Sequence, residues 1–300
     1  MAQVLARTCI IGLTIFCLCS NLLHEEMLLG LSKQEVKEAV RRNPRNYDLI
    51  KQAVAVDGTL LGDAHVALRA DRDIALCAIA NSAWALQYVP TPMREEDTFL
   101  MAALDANPMA VKFAKVSVHS DREIMLHLIT LHARTIQYAT ESLKLDREFI
   151  LEAVGRNGSA LVFIDAFRGD RQVVMRAVEQ CGCALEYAAG CLQDDKEVCL
   201  LAINQDFHAL QYCSDAVRHN KDFVINVVRK AGLALQHAGQ PLKQDAETVL
   251  CAIEQNHTAF QFAADVLRGN KDFVLQAVAV DGRALRFASA VLQADSEVVE

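Results

Sequence analysis

The chain repeats itself every 25 residues, and no other property of its 300 residues constrains the fold as much. Setting slot 0 at the acidic or Asn residue that opens each copy gives Asn46, Asp71, Glu96, Asp121, Asp146, Asp170, Asp195, Asn220, Asp245, Asn270 and Asp295. Every interval is 25 residues except the 24 from Asp146 to Asp170, so ten complete copies fill 46–294 and 295–300 begin another. A unit this short cannot enclose a core of its own. Its apolar surface has to be buried against its neighbours.

Slot 8 is aliphatic in all ten copies, and slot 15 is Leu, Ile, Val or Phe throughout. Slots 7 and 14 are Ala in eight copies each, and slot 17 is aromatic in eight, among them Tyr88, Phe113 and Phe262. The apolar slots 3, 4, 7 and 8, and again 14, 15, 18 and 22, keep helical spacing, which predicts two short amphipathic α-helices of roughly nine residues per copy. The expected fold is all-α: an α-solenoid of about ten 25-residue helix-turn-helix repeats. The Ala slots read as places where helices cross closely, and slot 17 as inward-facing core.

Asp and Asn at slot 0 are helix N-caps, and the acidic residues common at slot 2 meet the positive end of the helix dipole. Pairs such as Asp57-Gly58, Asn157-Gly158 and Asp281-Gly282 mark the turn between helices, where Gly is expected to supply the left-handed residue that ends the first helix. Copy 1 departs from the pattern at Gly62 and Asp63, which puts its second helix in question. Slot 1 is basic in seven of eleven positions and slot 2 acidic in nine, a pattern that reads as a salt-bridged, solvated edge more than as a recognition stripe. Gln at slot 16, as in Gln87, Gln137, Gln211, Gln236 and Gln261, reads as a stacking residue.

The repeat resembles that of the domain of unknown function numbered 4116, on the pattern D-[KR]-[DE]-x-[VI]-L-x-A-[VI]-x-x-[ND]-G-x-A-L-Q-[FY]-A, over Asn46 to Glu300. That resemblance implies tandem helical repeats and attaches no activity, cofactor or ligand to them.

Outside the array, residues 32–45 read as a lone capping helix, with Ser32 and Glu35 forming a capping box, Val36, Ala39 and Val40 forming its apolar face and Pro44 ending it. Residues 1–31 hold an apolar run after Arg7 that is short for a membrane span: a signal or anchor segment, or a buried capping helix. A membrane would be a partner only through that segment. The six residues 295–300 are expected to be too short for a helix, leaving an apolar end that self-association or further chain would cover.

Beyond Cys9, Cys17 and Cys19 the chain has seven cysteines, and Cys77, Cys199, Cys213 and Cys251 occupy small apolar slots. They read as reduced core residues and favour a cytoplasmic location, with a secretory or membrane route as the alternative. In the second case the sequons at Asn157 and Asn256 would be glycosylated. A formal net charge of -8 weighs against nucleic acid as a partner.

No phosphate loop, dinucleotide fingerprint, nucleophile elbow or zinc-protease helix occurs, so neither an enzyme nor a cofactor is expected. Cys181, Cys183, Asp206 and His208 lie in adjacent turns but lack paired-Cys zinc spacing, and they read as inert. Specificity is expected where the frame varies. Slot 13 carries Trp84, Arg134, His208 and Arg283, and Arg286 departs from the usual slot 16, so these five are the candidate binding residues. The expected role is a scaffold that binds a protein or peptide along its length. The alternative is an accessory region of a larger enzyme or metal-dependent protein.

Overall fold

The computed structural model describes residues 32–299, which form an α-solenoid in two compact units, one ending at Phe113 and the other beginning at Ala114. The expectations for 1–31 lie outside the described residues. Every regular element among the described residues is helical, and none of these helices is long and apolar enough to cross a membrane. In the first unit the helix Lys33–Arg42 carries the expected Ser32–Glu35 capping box and buries Val36 and Val40.

Each copy opens with an α-helix, of ten residues in all copies but one, such as Arg72–Asn81 in the first unit and Lys196–Gln205 in the second. The slot 0 side chain accepts the N–H of the second or third helical residue in nine of ten copies. Glu96 does not, because its extra methylene carries the carboxylate past the cap position.

The second half of the copy corrects the expectation of a second nine-residue α-helix. It is a six-residue 3-10 helix, as in Gly182–Tyr187 or Phe207–Tyr212, followed in most copies by an α-turn of four or five residues such as Asp215–Arg218. Copy 1 forms both pieces, Gly58–Asp63 and Val66–Arg69, despite Gly62 and Asp63. The start of copy 11 is helical as well, over Ser296–Val299, with Val298 buried.

Glycine at slot 12 does not end the helix in a left-handed conformation. The long helix stops because slot 11 is extended, with φ -145° and ψ 101° at Asp57 and φ -149° and ψ 99° at Asn157. In seven of ten copies the slot 11 side chain then caps the 3-10 helix by accepting the N–H two residues on, as Asp57 does from Thr59 at 2.9 Å and Asp206 from His208 at 2.9 Å. Slot 12 is Gly in five of the ten copies, and at Gly58 and Gly182 the next copy's long helix passes directly over it. A Cβ on Gly58 would lie 2.1 Å from the Ala78 carbonyl oxygen, and one on Gly182 would lie 2.5 Å from that of Ala202.

Core positions are slots 3, 4, 7, 8, 14, 15 and 18, as shown by Val198, Cys199, Ala202, Ile203, Ala209, Leu210 and Cys213 in one copy, joined from copy 6 onward by slot 22, as at Val217. Thr135 takes the Ala position at slot 14 fully buried, and its hydroxyl donates to the His132 carbonyl at 2.8 Å. Slot 17 is not core: Phe113 in the first unit and Tyr212, Phe262 and Phe287 in the second are all half-buried. In copy 2 the Tyr88 ring lies against Gly62 of copy 1, where a Cβ would meet it at 3.0 Å.

Three inter-copy contacts explain residues that hydrophobic periodicity leaves unassigned. Basic slot 1 reaches slot 0 of the next copy: Arg72 to Glu96 at 3.2 Å in the first unit, and Arg147 to Asp170 at 2.6 Å, Arg171 to Asp195 at 3.0 Å and Lys221 to Asp245 at 2.9 Å in the second. The charged motif is therefore an interlock between repeats, each exposed pair worth well under ~1 kcal/mol. Amides at slot 10 bridge backbones, with Asn81 Oδ1 accepting from Gly58 N–H at 2.9 Å while its Nδ2 donates to Ala55 O at 2.9 Å. Slot 19 N–H groups donate to the carbonyl two residues before the new copy's slot 0, as Ser214 does to Gln193 and Gly239 to Arg218.

Candidate functional site

That last carbonyl belongs to slot 23, counted as the second residue before each new slot 0, and its side chain is a hydrogen-bond donor in all ten copies: Arg69, Arg94, His119, Lys144, Arg168, Gln193, Arg218, Lys243, Arg268 and Gln293. Several of these fold back onto the C-terminal carbonyls of their own 3-10 helix. Gln193 donates to Leu185 O and Glu186 O at 3.1 Å each, Lys243 to Gln236 O at 2.6 Å, and Gln293 to Arg286 O and Ala288 O at 2.9 Å each. The last carbonyls of a helix run out of backbone partners, which is why a donor recurs there. Periodicity of donors, not of apolar residues, is the signal that would have found this column.

Between copies 7 and 8 the column borders a cleft of about 590 Å³ in the second unit. Copy 7 contributes Gln211, Tyr212, Asp215, Arg218 and His219, and copy 8 contributes Gln236, His237, Gly239, Gln240 and Lys243. His219 sits directly over Gly239, where a Cβ would meet its ring at 2.5 Å, and its Nδ1–H donates to the Asp215 carbonyl at 2.6 Å. His237 occupies slot 17, aromatic hydrocarbon or phenol in eight copies, and lies edge-on to His208 with centroids 5.6 Å apart. The His237 imidazole is held below its ordinary pKa by burial first, then by His208, Lys243 and Arg218, with Asp206 opposing. Burial also lowers Lys243, and the Arg218 charge adds to it.

The five residues singled out from sequence are distributed along the array and do not converge. Trp84 is 51% exposed, tilted against Phe113 at 5.0 Å, with Lys112 Nζ 4.8 Å from its ring centroid. Arg134 and Arg286 are exposed, and Arg134 Nε donates to Gln137 at 3.3 Å. Arg283, with its side chain 73% exposed, pairs at 2.8 Å with Asp281, the cap of its own 3-10 helix. Arg283 holds that carboxylate down at about 2. His208 alone borders the cleft, through His237, and its Nδ1–H donates to Asp206 at 2.8 Å.

Cys183 donates to Asp206 at 3.4 Å, and its thiol is pushed up to about 11, first by burial and then by that carboxylate. A thiol held protonated is neither a thiolate ligand nor a nucleophile near neutral pH. Among the described residues no group of three or more His, Cys, Asp or Glu could hold a metal ion, and Cys199, Cys213 and Cys251 are free and buried.

Fold and site together define a tandem helical-repeat protein whose strict positions are spent on stacking. The pattern of the family described as Domain of unknown function (DUF4116) matches residues 46–94, 121–168, 146–193, 170–218, 195–243, 220–268 and 245–293, and the chain belongs to that family. Each match spans two 25-residue copies, and successive matches from 121 onward begin one copy further along. Comparison with curated proteins and with solved structures found no match.

Proposed function

We propose that the chain is a non-catalytic scaffold that binds a protein or peptide partner along the edge formed by its 3-10 helices. The observation that carries this reading is the contrast between slots. Slots 0, 1, 7, 10, 12 and 14 are engaged in caps, inter-copy bonds and close contacts. Slot 13 changes chemistry from copy to copy, and at His208 and Arg283 the side chain's hydrogen bonds among the described residues go only to the cap of its own 3-10 helix. Its side chains, among them Trp84, Arg134, His208 and Arg283, stand at the start of a 3-10 helix, which slot 11 caps in the last three cases and Gln293 at slot 23 closes in the last. A rigid frame that displays variable side chains at fixed intervals suits an extended partner, because little conformational freedom is lost on binding.

Site-specific photocrosslinking in extracts of the source cell tests this. A photoreactive side chain placed at Arg134, His208 or Arg283 should capture one common partner, and the same group at the exposed slot 2 residues Glu148, Asp222 and Asp272 should not. Equal capture from both sets of positions would remove the 3-10 edge from the proposal.

A further inference from the structure

The cleft between copies 7 and 8 has properties that a peptide-displaying edge does not require. We infer that it is a binding site for a small molecule bearing a phosphate monoester, held by Arg218, Lys243 and His237 with Gln211, Gln236 and Tyr212 around them.

The chain as a whole carries a formal net charge of -8, yet this cleft sets Arg218 and Lys243 together, with the imidazoles of His219 and His237 beside them. Its one acidic lining residue, Asp215, is exposed at 78% and is already paired with Arg218. Lys243 satisfies one N–H on a neutral carbonyl, that of Gln236, and has no ion-pair partner among the described residues. Burial and mutual repulsion work against the cations here, so an anion entering the cleft would gain more than one meeting solvated surface lysines.

Donors are in excess as well. Arg218 Nε and His237 Nε2 are buried atoms with no hydrogen-bond partner. The Arg218 atom alone marks nothing, since Arg69, Arg94, Arg168 and Arg268 at the same slot share the feature. His237 is different: the other slot 17 side chains bring no buried nitrogen, and one left unsatisfied costs stability unless a ligand completes it. Guanidinium, ammonium, imidazole and amide donors together exceed what the two oxygens of a carboxylate can accept, whereas a phosphate monoester offers three terminal oxygens and close to two charges. At about 590 Å³ the cleft is within the range of small-molecule sites and larger than a phosphate group alone fills.

Phenyl phosphate is the probe, titrated into the full chain at fixed ionic strength by calorimetry and by the imidazole NMR resonances of His237, with benzoate and chloride as comparisons. Saturable binding of phenyl phosphate at least tenfold tighter than benzoate is expected, with the His237 resonances shifting on the same isotherm. His237→Phe restores the commoner slot 17 chemistry, and Lys243→Gln puts at slot 23 the residue of copies 6 and 10, so both should fold as the parent does by circular dichroism. Each should weaken phenyl phosphate at least tenfold, and Arg268→Gln, outside the cleft, should not. Absence of saturable binding, equal affinity for benzoate, or unchanged binding in folded His237→Phe and Lys243→Gln would each overturn the assignment. Photocapture at slot 13 does not depend on any of these outcomes, so the two proposals fail separately.

Discussion

The glycines give the sharpest test of how the copies stack, because the same substitution should have opposite signs at Gly182 and Gly190. At Gly182 an added Cβ would lie 2.5 Å from Ala202 O, 3.0 Å from Gln205 Oε1 and 3.2 Å from the Asp206 Cβ. Restoring ordinary contact requires copies 6 and 7 to separate by on the order of 0.5–1 Å. The Ala202 carbonyl cannot give way alone, because it accepts the Asp206 N–H that ends its helix at 2.9 Å. The separation also stretches the 2.8 Å bond from Gly182 N–H to Gln205. Overpacking of this kind costs about 1–3 kcal/mol, and a weakened hydrogen bond adds up to ~1 kcal/mol. Loss of glycine's freedom in the unfolded chain returns about 0.4–1 kcal/mol, so Gly182→Ala should destabilise by about 1–3 kcal/mol net.

At Gly190, which opens the short turn Gly190–Gln193, nothing lies within 4 Å of the added carbon, and only the unfolded-state gain remains. Gly190→Ala should therefore stabilise by about 0.4–1 kcal/mol. Urea unfolding followed by circular dichroism gives the sign. Because a repeat array can unfold in parts, hydrogen exchange across Lys196–Gln205 should localise the loss in Gly182→Ala. Destabilisation of similar size at both positions would show that these positions need glycine's backbone freedom and not its missing side chain, which would refute the stacking argument.

Further predictions follow from burial and electrostatics. Phe260→Ala, at a fully buried slot 15, should cost about 3–5 kcal/mol, against about 1–2 kcal/mol for Phe262→Ala at half-buried slot 17; equal urea midpoints would contradict the burial pattern. Asp170 and Asp295 are held below the ordinary Asp value of 3.8, chiefly by hydrogen bonds from Arg147 and Lys271. The stability they contribute is present above that value and lost as pH falls through their depressed values, so the urea midpoint should drop below about pH 4, and less steeply in Arg147→Gln. Iodoacetamide at pH 8 should modify exposed Cys191 well before Cys183, whose thiol titrates near 11; mass spectrometry of the two peptides reads the order. Asn157 Nδ2, the atom a glycan would occupy, donates to Ile129 O at 3.0 Å, so folded protein from a glycosylating host should carry no sugar there, as intact mass would show.

The array was legible in the sequence because stacking is enforced by burial, and burial repeats with the chain: slots 3, 4, 7, 8, 14, 15 and 18 appear as core on both readings. The kind of helix in the second half was not legible. Over so short a stretch, apolar slots at 14, 15 and 18 fit a 3-10 turn as well as an α-turn, and the slot 11 cap does not decide between them, since the copies with Ser82, Cys181 and Ala231 there form the same 3-10 helix without it. Slot 17 misled for a related reason. Strict recurrence of an aromatic there signals stacking on the previous copy's 3-10 helix, as with Tyr88 on Gly62, and that contact leaves one side of the ring open. The cleft was missed because its members are exceptions: His237 breaks slot 17, and Lys243 breaks a second, longer pattern.

That longer pattern bears on whether the cleft's charge has a purpose. From copy 5 onward the short turns alternate. Copies 5, 7 and 9 place an Asp three residues before Arg, and Asp165–Arg168, Asp215–Arg218 and Asp265–Arg268 are all paired. Copies 6, 8 and 10 place Gln193, Lys243 and Gln293 against the end of their own 3-10 helix. Over copies 5 to 10 the turns thus alternate with a two-copy period. In the even copies the task at slot 23 is to donate to carbonyls, and a neutral Gln performs it in two of three. The positive charge of Lys243 is therefore not needed for capping, and it is placed beside Arg218 at a cost in burial and repulsion. Lys243→Gln should consequently leave the urea midpoint within about 0.5 kcal/mol of the parent or raise it slightly. A drop well beyond that would mean that the charge stabilises the stack, and the case for a ligand-directed cation would lose its main support.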